Sequence, residues 1–201
     1  MSATIKSGAS ADLLSIDAQS KAARVTLYNS VGEEIGVRPD GSYMLPINIV
    51  QSAATVVNST VWALRNGGSK AVYIRRVLLN MGYHGAAVAT TGRYAIERFD
   101  TATPTGGTAL TPVKKNSSMP TSAIADVRFL DTGLTTAGVV FGTDLAIIGN
   151  QRQLSAGHLL DMNFAGGDEL VLNANEGLCI RLNVAAVVGD SLTGFVEWDE
   201  K

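Results

Sequence analysis

Residues 167–198 read GDELVLNANEGLCIRLNVAAVVGDSLTGFVEW. Three apolar runs are divided by Asn173-Ala174-Asn175-Glu176-Gly177 and by Gly189-Asp190-Ser191. Asn, Asp and Gly supply the tight bends that extended segments need. The pattern is strand, turn, long strand, turn, strand, and it predicts the closing hairpins of a β-sandwich. Within it, Glu176-Gly177 reads as a turn rather than a catalytic acid. Cys179 sits inside an apolar run and reads as a buried, inert thiol.

Upstream, the same kind of pattern continues. Residues 60–65 (TVWALR) form a strand that stops at Asn66-Gly67-Gly68. Residues 71–83 (AVYIRRVLLNMGY) are largely apolar on both faces, as a central strand is. One face holds Val72, Ile74, Arg76 and Leu78; the other holds Tyr73, Arg75, Val77, Leu79 and Met81. Arg75 and Arg76 are therefore expected on opposite faces. One should be buried against a carboxylate, and the other should reach a surface or a neighbouring subunit. Residues 93–99 (RYAIERF) carry a charge and an aromatic on both faces, which places that strand near an edge or an interface. Residues 125–130, 138–141, 145–148 and 158–164 read as further short strands. Residues 151–160 have no clear pattern, and no segment reads as a helix of ten or more residues.

Two segments stand apart. Residues 100–123 (DTATPTGGTALTPVKKNSSMPTSA) contain three prolines and a glycine pair and read as a long loop. Loops of this length are usually functional or ordered by a partner, and this one carries a small basic spot, Lys114-Lys115. Residues 1–22 read as a polar arm in which Leu13, Leu14 and Ile16 have no local partners. Such residues are wasted in solvent, so the arm is expected to dock elsewhere. Arg24-Val25-Thr26-Leu27-Tyr28 alternates, Asn29-Ser30-Val31-Gly32 turns, and residues 33–38 return, which predicts a β-hairpin. Pro39-Asp40-Gly41-Ser42 then reads as a turn and hinge. Residues 43–50 are extended, with Pro46 marking a sheet edge or a strand start.

The expected organisation is an N-terminal arm and β-hairpin over residues 1–42 and a β-sandwich domain over residues 43–201. The fold class is all-β, a jelly-roll-like sandwich with an extended N-terminal arm. Trp62, Ile74, Val77, Leu79, Leu170, Leu172, Ile180, Leu182 and Trp198 are expected in its core or between subunits. Tyr73, Phe129, Phe164 and Phe195 join them.

Composition excludes several classes of function. The net charge of −2 gives no basic field to hold nucleic acid. One cysteine cannot build an internal disulfide framework. No apolar stretch approaches the roughly 18 residues of a membrane helix, and Met1-Ser2-Ala3-Thr4-Ile5-Lys6 has no apolar signal region. The chain is expected to stay in the cytoplasm where it is made unless an assembly carries it out. His84 and His158 are far apart and in no zinc-binding spacing, so both read as polar turn or strand-end residues. No GxSxG elbow is present. Thr105-Gly106-Gly107-Thr108 lacks the Lys-Ser/Thr of a phosphate loop, and Asp168 after Gly167 lacks EF-hand spacing. The residues predict no cofactor, no metal and no enzyme.

Residues 7–36 (SGASADLLSIDAQSKAARVTLYNSVGEEIG) resemble an N-terminal segment of virion proteins of tailed bacteriophages. Residues 61–83, 93–115, 125–136 (ADVRFLDTGLTT) and 177–200 (GLCIRLNVAAVVGDSLTGFVEWDE) are similar to structural proteins of such phages. The resemblance covers most of the chain and implies a virion structural protein, assembled in the host cytoplasm. It implies a symmetric homo-oligomer, a trimer, that decorates or cements the capsid. Its partners would be other virion proteins such as the major capsid or tail proteins. A tail, baseplate or fibre component, or a receptor- or glycan-binding module, is the alternative. Leu13, Leu14, Ile16, Val25, Leu27 and Tyr28, with Lys114 and Lys115, are the expected partner contacts, and the resemblance transfers no catalytic residue.

Overall fold

The computed structural model describes residues 41–85, 90–122, 124, 126–152, 158–164 and 169–200, and six two-residue strands within residues 1–40. The chain divides into two compact units, Met1–Pro39 and Asp40–Lys201. In the first unit β1 (Lys6–Ser7) pairs with β2 (Asp12–Leu13), and β3 (Ser15–Ile16) with β4 (Ala23–Arg24). There too β5 (Leu27–Tyr28) pairs antiparallel with β6 (Glu34–Ile35), setting Leu27 opposite Ile35 within the expected hairpin.

The second unit begins with β7 (Gly41–Val50), β8 (Thr60–Arg65), β9 (Val72–Tyr83) and β10 (Thr91–Thr101). It continues with β11 (Thr108–Ala109), β12 (Val113–Lys114), β13 (Asp126–Leu134) and β14 (Val139–Gln151). Then come β15 (His158–Asn163), β16 (Leu170–Leu172), β17 (Gly177–Leu182) and β18 (Asp190–Glu200). The first sheet runs β11-β13-β8-β17-β10-β14, and the second runs β12-β7-β18-β9-β15 with β16 also on β9. Both are antiparallel, and together they form an all-β sandwich. In β7, Tyr43, Leu45, Ile47 and Ile49 are buried while their neighbours are not, the mark of a strand with one face on a core. From β18, Leu192, Val196 and Trp198 enter the same core, and Tyr43 stacks on Trp198 with 5.9 Å between ring centroids. Gly194 sits between them at φ 153°, where a Cβ would collide with the carbonyl oxygen of Leu78 on β9. Only glycine lets the two backbones approach so closely.

Apart from β13, which pairs with β8, the strands of six or more residues pair in a nested order: β7 with β18, β8 with β17, β9 with β15, and β10 with β14. The closing hairpins expected over residues 167–198 are therefore replaced by crossovers. β16 and β18 lie in the second sheet and β17 in the first, and none of the three pairs with another. The long middle strand is also shorter than expected, because β17 ends at Leu182 and residues 183–189 form a connection. The turn at residues 173–176 is as read: Asn175 is left-handed at φ 71°, and Asn173 N donates to Glu176 Oε2 at 2.7 Å.

Three further expectations change. The Pro39–Ser42 turn is cut short, because Gly41 and Ser42 already belong to β7; Pro39 and Asp40 lie outside the described residues. β10, expected near an edge or an interface, is the second strand from the end of its sheet, flanked by β17 and β14 with Tyr94, Ile96 and Phe99 buried. Residues 138–141 and 145–148 belong to one 13-residue strand, β14, interrupted by β-bulges against β10. Arg75 and Arg76 do not take opposite faces. Glu197 of β18 pairs with Arg76 and Trp198 with Ile74, so Arg75 is the extra residue of a bulge. The bulge shifts parity and leaves Val72, Ile74, Val77, Leu79 and Met81 on the core side.

The long loop is partly built. β11 pairs with β13 at the rim of the first sheet, and β12 pairs with β7 at the rim of the second. Residues 108–114 thereby strap one open side of the sandwich. Pro46 lies on β7 beyond the reach of β12, where no strand among the described residues needs its missing N–H.

At the opposite rim and end, Arg152 follows β14 and Asp190 opens β18, so their contact joins the two sheets. Arg152 Nε and Nη2 donate to the two carboxylate oxygens of Asp190 at 2.7 and 2.5 Å, with both side chains almost wholly buried. Thr90 Oγ1 and Ala185 O, each at 2.9 Å, accept the remaining guanidinium bonds. Arg152→Met is expected to cost roughly 3–5 kcal/mol, because it leaves a buried carboxylate unpaired. The double substitution Arg152→Met with Asp190→Leu is expected to recover most of that loss. Denaturant unfolding of the two variants measures both effects.

Candidate functional site

The first sheet carries a concavity beside the outer end of β10. Its inner face packs on the main core, while its outer face supports a second apolar cluster of Ala63, Phe99, Leu134 and Cys179. Leu130, Val139 and Phe141 lie over that cluster. Beside it, where the bulged part of β14 spreads from β10, a groove of about 470 Å³ opens between Arg98, Asp100, Phe141, Leu145 and Glu176.

Two ion pairs stand in and around the groove. Arg98 meets Glu176 at 2.9 Å. Arg181 meets the buried Glu97 at 2.7 Å, and its guanidinium lies 4.0 Å over the Phe141 ring. Burial pushes the Glu97 carboxyl above the usual glutamate range, while the Arg181 hydrogen bond pulls it back. Burial likewise pushes the Cys179 thiol far up, with the charge of nearby Glu97 adding to the effect. The groove therefore offers an apolar floor and compensated charges, a shape suited to holding a polar side chain or loop. No group of three or more His, Cys, Asp or Glu among the described residues could hold a metal ion. No helix among them is long and apolar enough to cross a membrane.

A second cleft of about 420 Å³ lies under the strap, between Leu110, Pro112, Lys114, Ser122 and Ile124. Ile124 is buried in the main core, and Tyr43 Oη donates to Pro120 O at 3.1 Å. The strap thus contacts the core through its ends. Lys114 is exposed on β12, whereas Lys115 is tied to Glu197 at 2.8 Å and donates its N–H to Ser42 O. The basic spot is split: one lysine faces solvent and the other braces the strap. Among the remaining expected contacts, Leu13, Ile16, Leu27 and Tyr28 lie on β2, β3 and β5, and Leu14 and Val25 fall outside the described residues.

On the outer face of the second sheet, Arg75 bridges Asp199 at 2.6 Å and Glu169. Arg76 makes two hydrogen bonds to Asp161, at 2.8 and 2.7 Å, which hold that carboxyl below the usual range. Both arginines are thus committed within the chain, a pairing the residues alone foretold for one of them. Phe141 and the Glu97–Arg181 pair were not singled out in the sequence. The one available signal is Arg181, a lone charge in the apolar run of β17; in β10 Glu97 is one of several charges and does not stand out.

Glu97 titrates higher folded than unfolded, so its contribution to stability is present below the ordinary glutamate range and is lost as pH rises through the folded value. Wild-type unfolding free energy is expected to fall over that window, and Glu97→Gln to flatten it; a denaturation series across acid pH at constant salt checks this. Cys179 is expected to resist thiol reagents in the native chain and to react fully in denaturant, as a timed labelling assay will read.

No family model, no curated protein and no solved structure matches this chain.

Proposed function

We propose that the chain is a virion structural protein of a tailed bacteriophage. In this reading it is a symmetric homo-oligomer, a trimer, whose sandwich decorates or cements the capsid. Residues 1–42 attach it to its neighbours in the particle. The sequence resemblance supplies the class, and the nested strand pairing is the structural observation that supports it.

Leave aside β13, which pairs with β8 toward one side of the first sheet, and count β7, β8, β9, β10, β14, β15, β17 and β18 from first to eighth. The first pairs with the eighth, the second with the seventh, the third with the sixth and the fourth with the fifth. That is one long hairpin. Rolling it brings the eighth against the third and the seventh against the fourth, and both pairings are present. This order of pairing supports a jelly-roll reading of the sandwich, an architecture used in viral capsid and lectin domains alike. Fold alone does not choose between those uses. The groove favours the structural one, because Arg181 covers one face of Phe141 and so removes a stacking platform for a sugar ring.

Mass spectrometry of purified particles is expected to find the protein, and cryo-EM to place it on the capsid surface with threefold symmetry. Density on the tail or baseplate would favour the alternative. Deleting residues 1–22 is expected to leave a folded, soluble sandwich that no longer binds particles. Full occupancy by the truncated chain would show that the attachment role lies elsewhere.

A further inference from the structure

Asn66 follows β8 and is wholly buried, at 0% exposure. Its carboxamide is engaged at both ends. Nδ2 donates to Lys70 O at 2.8 Å and to Leu172 O at 2.9 Å, and Oδ1 accepts from Gly68 N at 3.1 Å. Two carbonyls on one side and an N–H on the other fix which end of the amide is nitrogen. The backbone is held too: Asn66 N donates to Glu176 O at 2.9 Å, and Asn175 N to Asn66 O at 2.8 Å. Leu172 ends β16 in the second sheet while β8 lies in the first, so this one side chain ties the sheets together.

The residue after it makes this asparagine chemically distinct. Of the asparagines in the sequence, only Asn66 precedes a glycine. Glycine has no Cβ to obstruct its own nitrogen and the widest backbone freedom, so that nitrogen can reach the neighbouring side chain. The Gly67 nitrogen attacks Cγ of Asn66, and the new N–C bond closes a cyclic imide. The bond from Cγ to Nδ2 breaks, and Nδ2 leaves as ammonia with the proton that Gly67 N gives up. Water then opens the imide at either carbonyl, which yields aspartate or isoaspartate. No oxidant, metal or enzyme takes part.

We infer that Asn66-Gly67 is a self-modification site that the closed fold holds silent and an open junction sets off. Ring closure requires the carboxamide to turn Cγ toward Gly67 N, which breaks the bonds to Lys70 O and Leu172 O. Burial also shuts out the water that the second step consumes. The reaction therefore runs through local opening of residues 66–70 from β16, and its rate follows the population of that open form. The product cannot close again. An aspartate in this place sets a charged acceptor against the carbonyl oxygens of Lys70 and Leu172 in a buried site, which is costly. Isoaspartate adds a carbon to the backbone between the bonds to Glu176 and Asn175. The step is thus one-way, and a chain that reacts is lost from the native pool. Leu172 lies 106 residues after Asn66, so chains that close late are the ones exposed to it. The inference does not depend on the virion reading and stands or falls apart from it.

The test is a time course of peptide mapping by mass spectrometry on the full chain, native and in denaturant, at one mildly alkaline pH. Conversion adds about 1 Da, and chromatography separates the two products. In denaturant Asn66 is expected to convert before the other asparagines. In the native chain it is expected to convert at least about a hundredfold more slowly. Gly67→Ala puts a Cβ beside the attacking nitrogen and is expected to slow the denatured-state reaction at least about tenfold. In the fold that Cβ meets only side-chain ends, Asp126 Oδ2 at 3.3 Å and Arg65 Nη1 at 3.6 Å, so the variant is expected to fold. Asn66→Asp is expected to lower the denaturation midpoint, and Asn116→Asp, at an exposed position, to leave it unchanged. Equal rates in the native and denatured chains overturn the protection. Earlier conversion of another asparagine in denaturant, or no slowing by Gly67→Ala, overturns the site. A wild-type midpoint in Asn66→Asp overturns the one-way step.

Discussion

Arg152 and Asp190 are charged groups placed where charge is most costly. An isolated ion in a protein interior loses several kcal/mol of hydration, and Coulomb attraction offsets this only when geometry and remaining hydrogen bonds are good. Here the fork of the guanidinium meets both carboxylate oxygens, and Thr90, Ala185 and the Val187 N–H take up further bonds. These partners come from two connections, and the pair itself links the end of β14 in one sheet to the start of β18 in the other. The pair works as a fastener rather than as a source of net stability: it is satisfied only when strands distant in sequence are in register.

A second constraint is the bulge at Arg75. Had β9 alternated without interruption, Arg75 would have stood on the same face as Val77 and Leu79, in the core. One inserted residue turns both arginines outward, where Asp199, Glu169 and Asp161 receive them. The bulge also falls where the outer neighbour of β9 changes, since Arg76 pairs with Asn163 of β15 and Ile74 with Leu170 of β16. A single backbone irregularity thus settles the faces of β9 and marks the handover between its two edge partners.

The strands were legible because burial on one face imprints period two on β7, and burial on both faces imprints continuous apolar runs on β8 and β17. Trp62, Ile74, Val77, Leu79 and Trp198 were identifiable as core residues for that reason. Partner choice was not legible. Residues 167–198 look like hairpins because short turns separate their strands, yet each turn carries the chain to the other sheet. Parity in β9 was misread because a bulge leaves no residue-type signature at Arg75-Arg76. The groove was invisible for a similar reason: Arg98, Phe141 and Glu176 converge only once β10, β14 and β17 are neighbours.

The nested pairing also sets the order of events while the chain is being made. β18 lies between β7 and β9, so the middle of the second sheet is filled by the last described strand. Ribosomes add about 5–20 residues per second, so the roughly one hundred residues between β9 and β18 keep those two strands waiting on the order of ten seconds. Throughout that interval the inner faces of β7 and β9, with Tyr43, Ile49, Ile74 and Leu79, have no central partner. Until β18 arrives, those apolar faces are open to any other apolar surface, so the sandwich closes late however early its first strands are made.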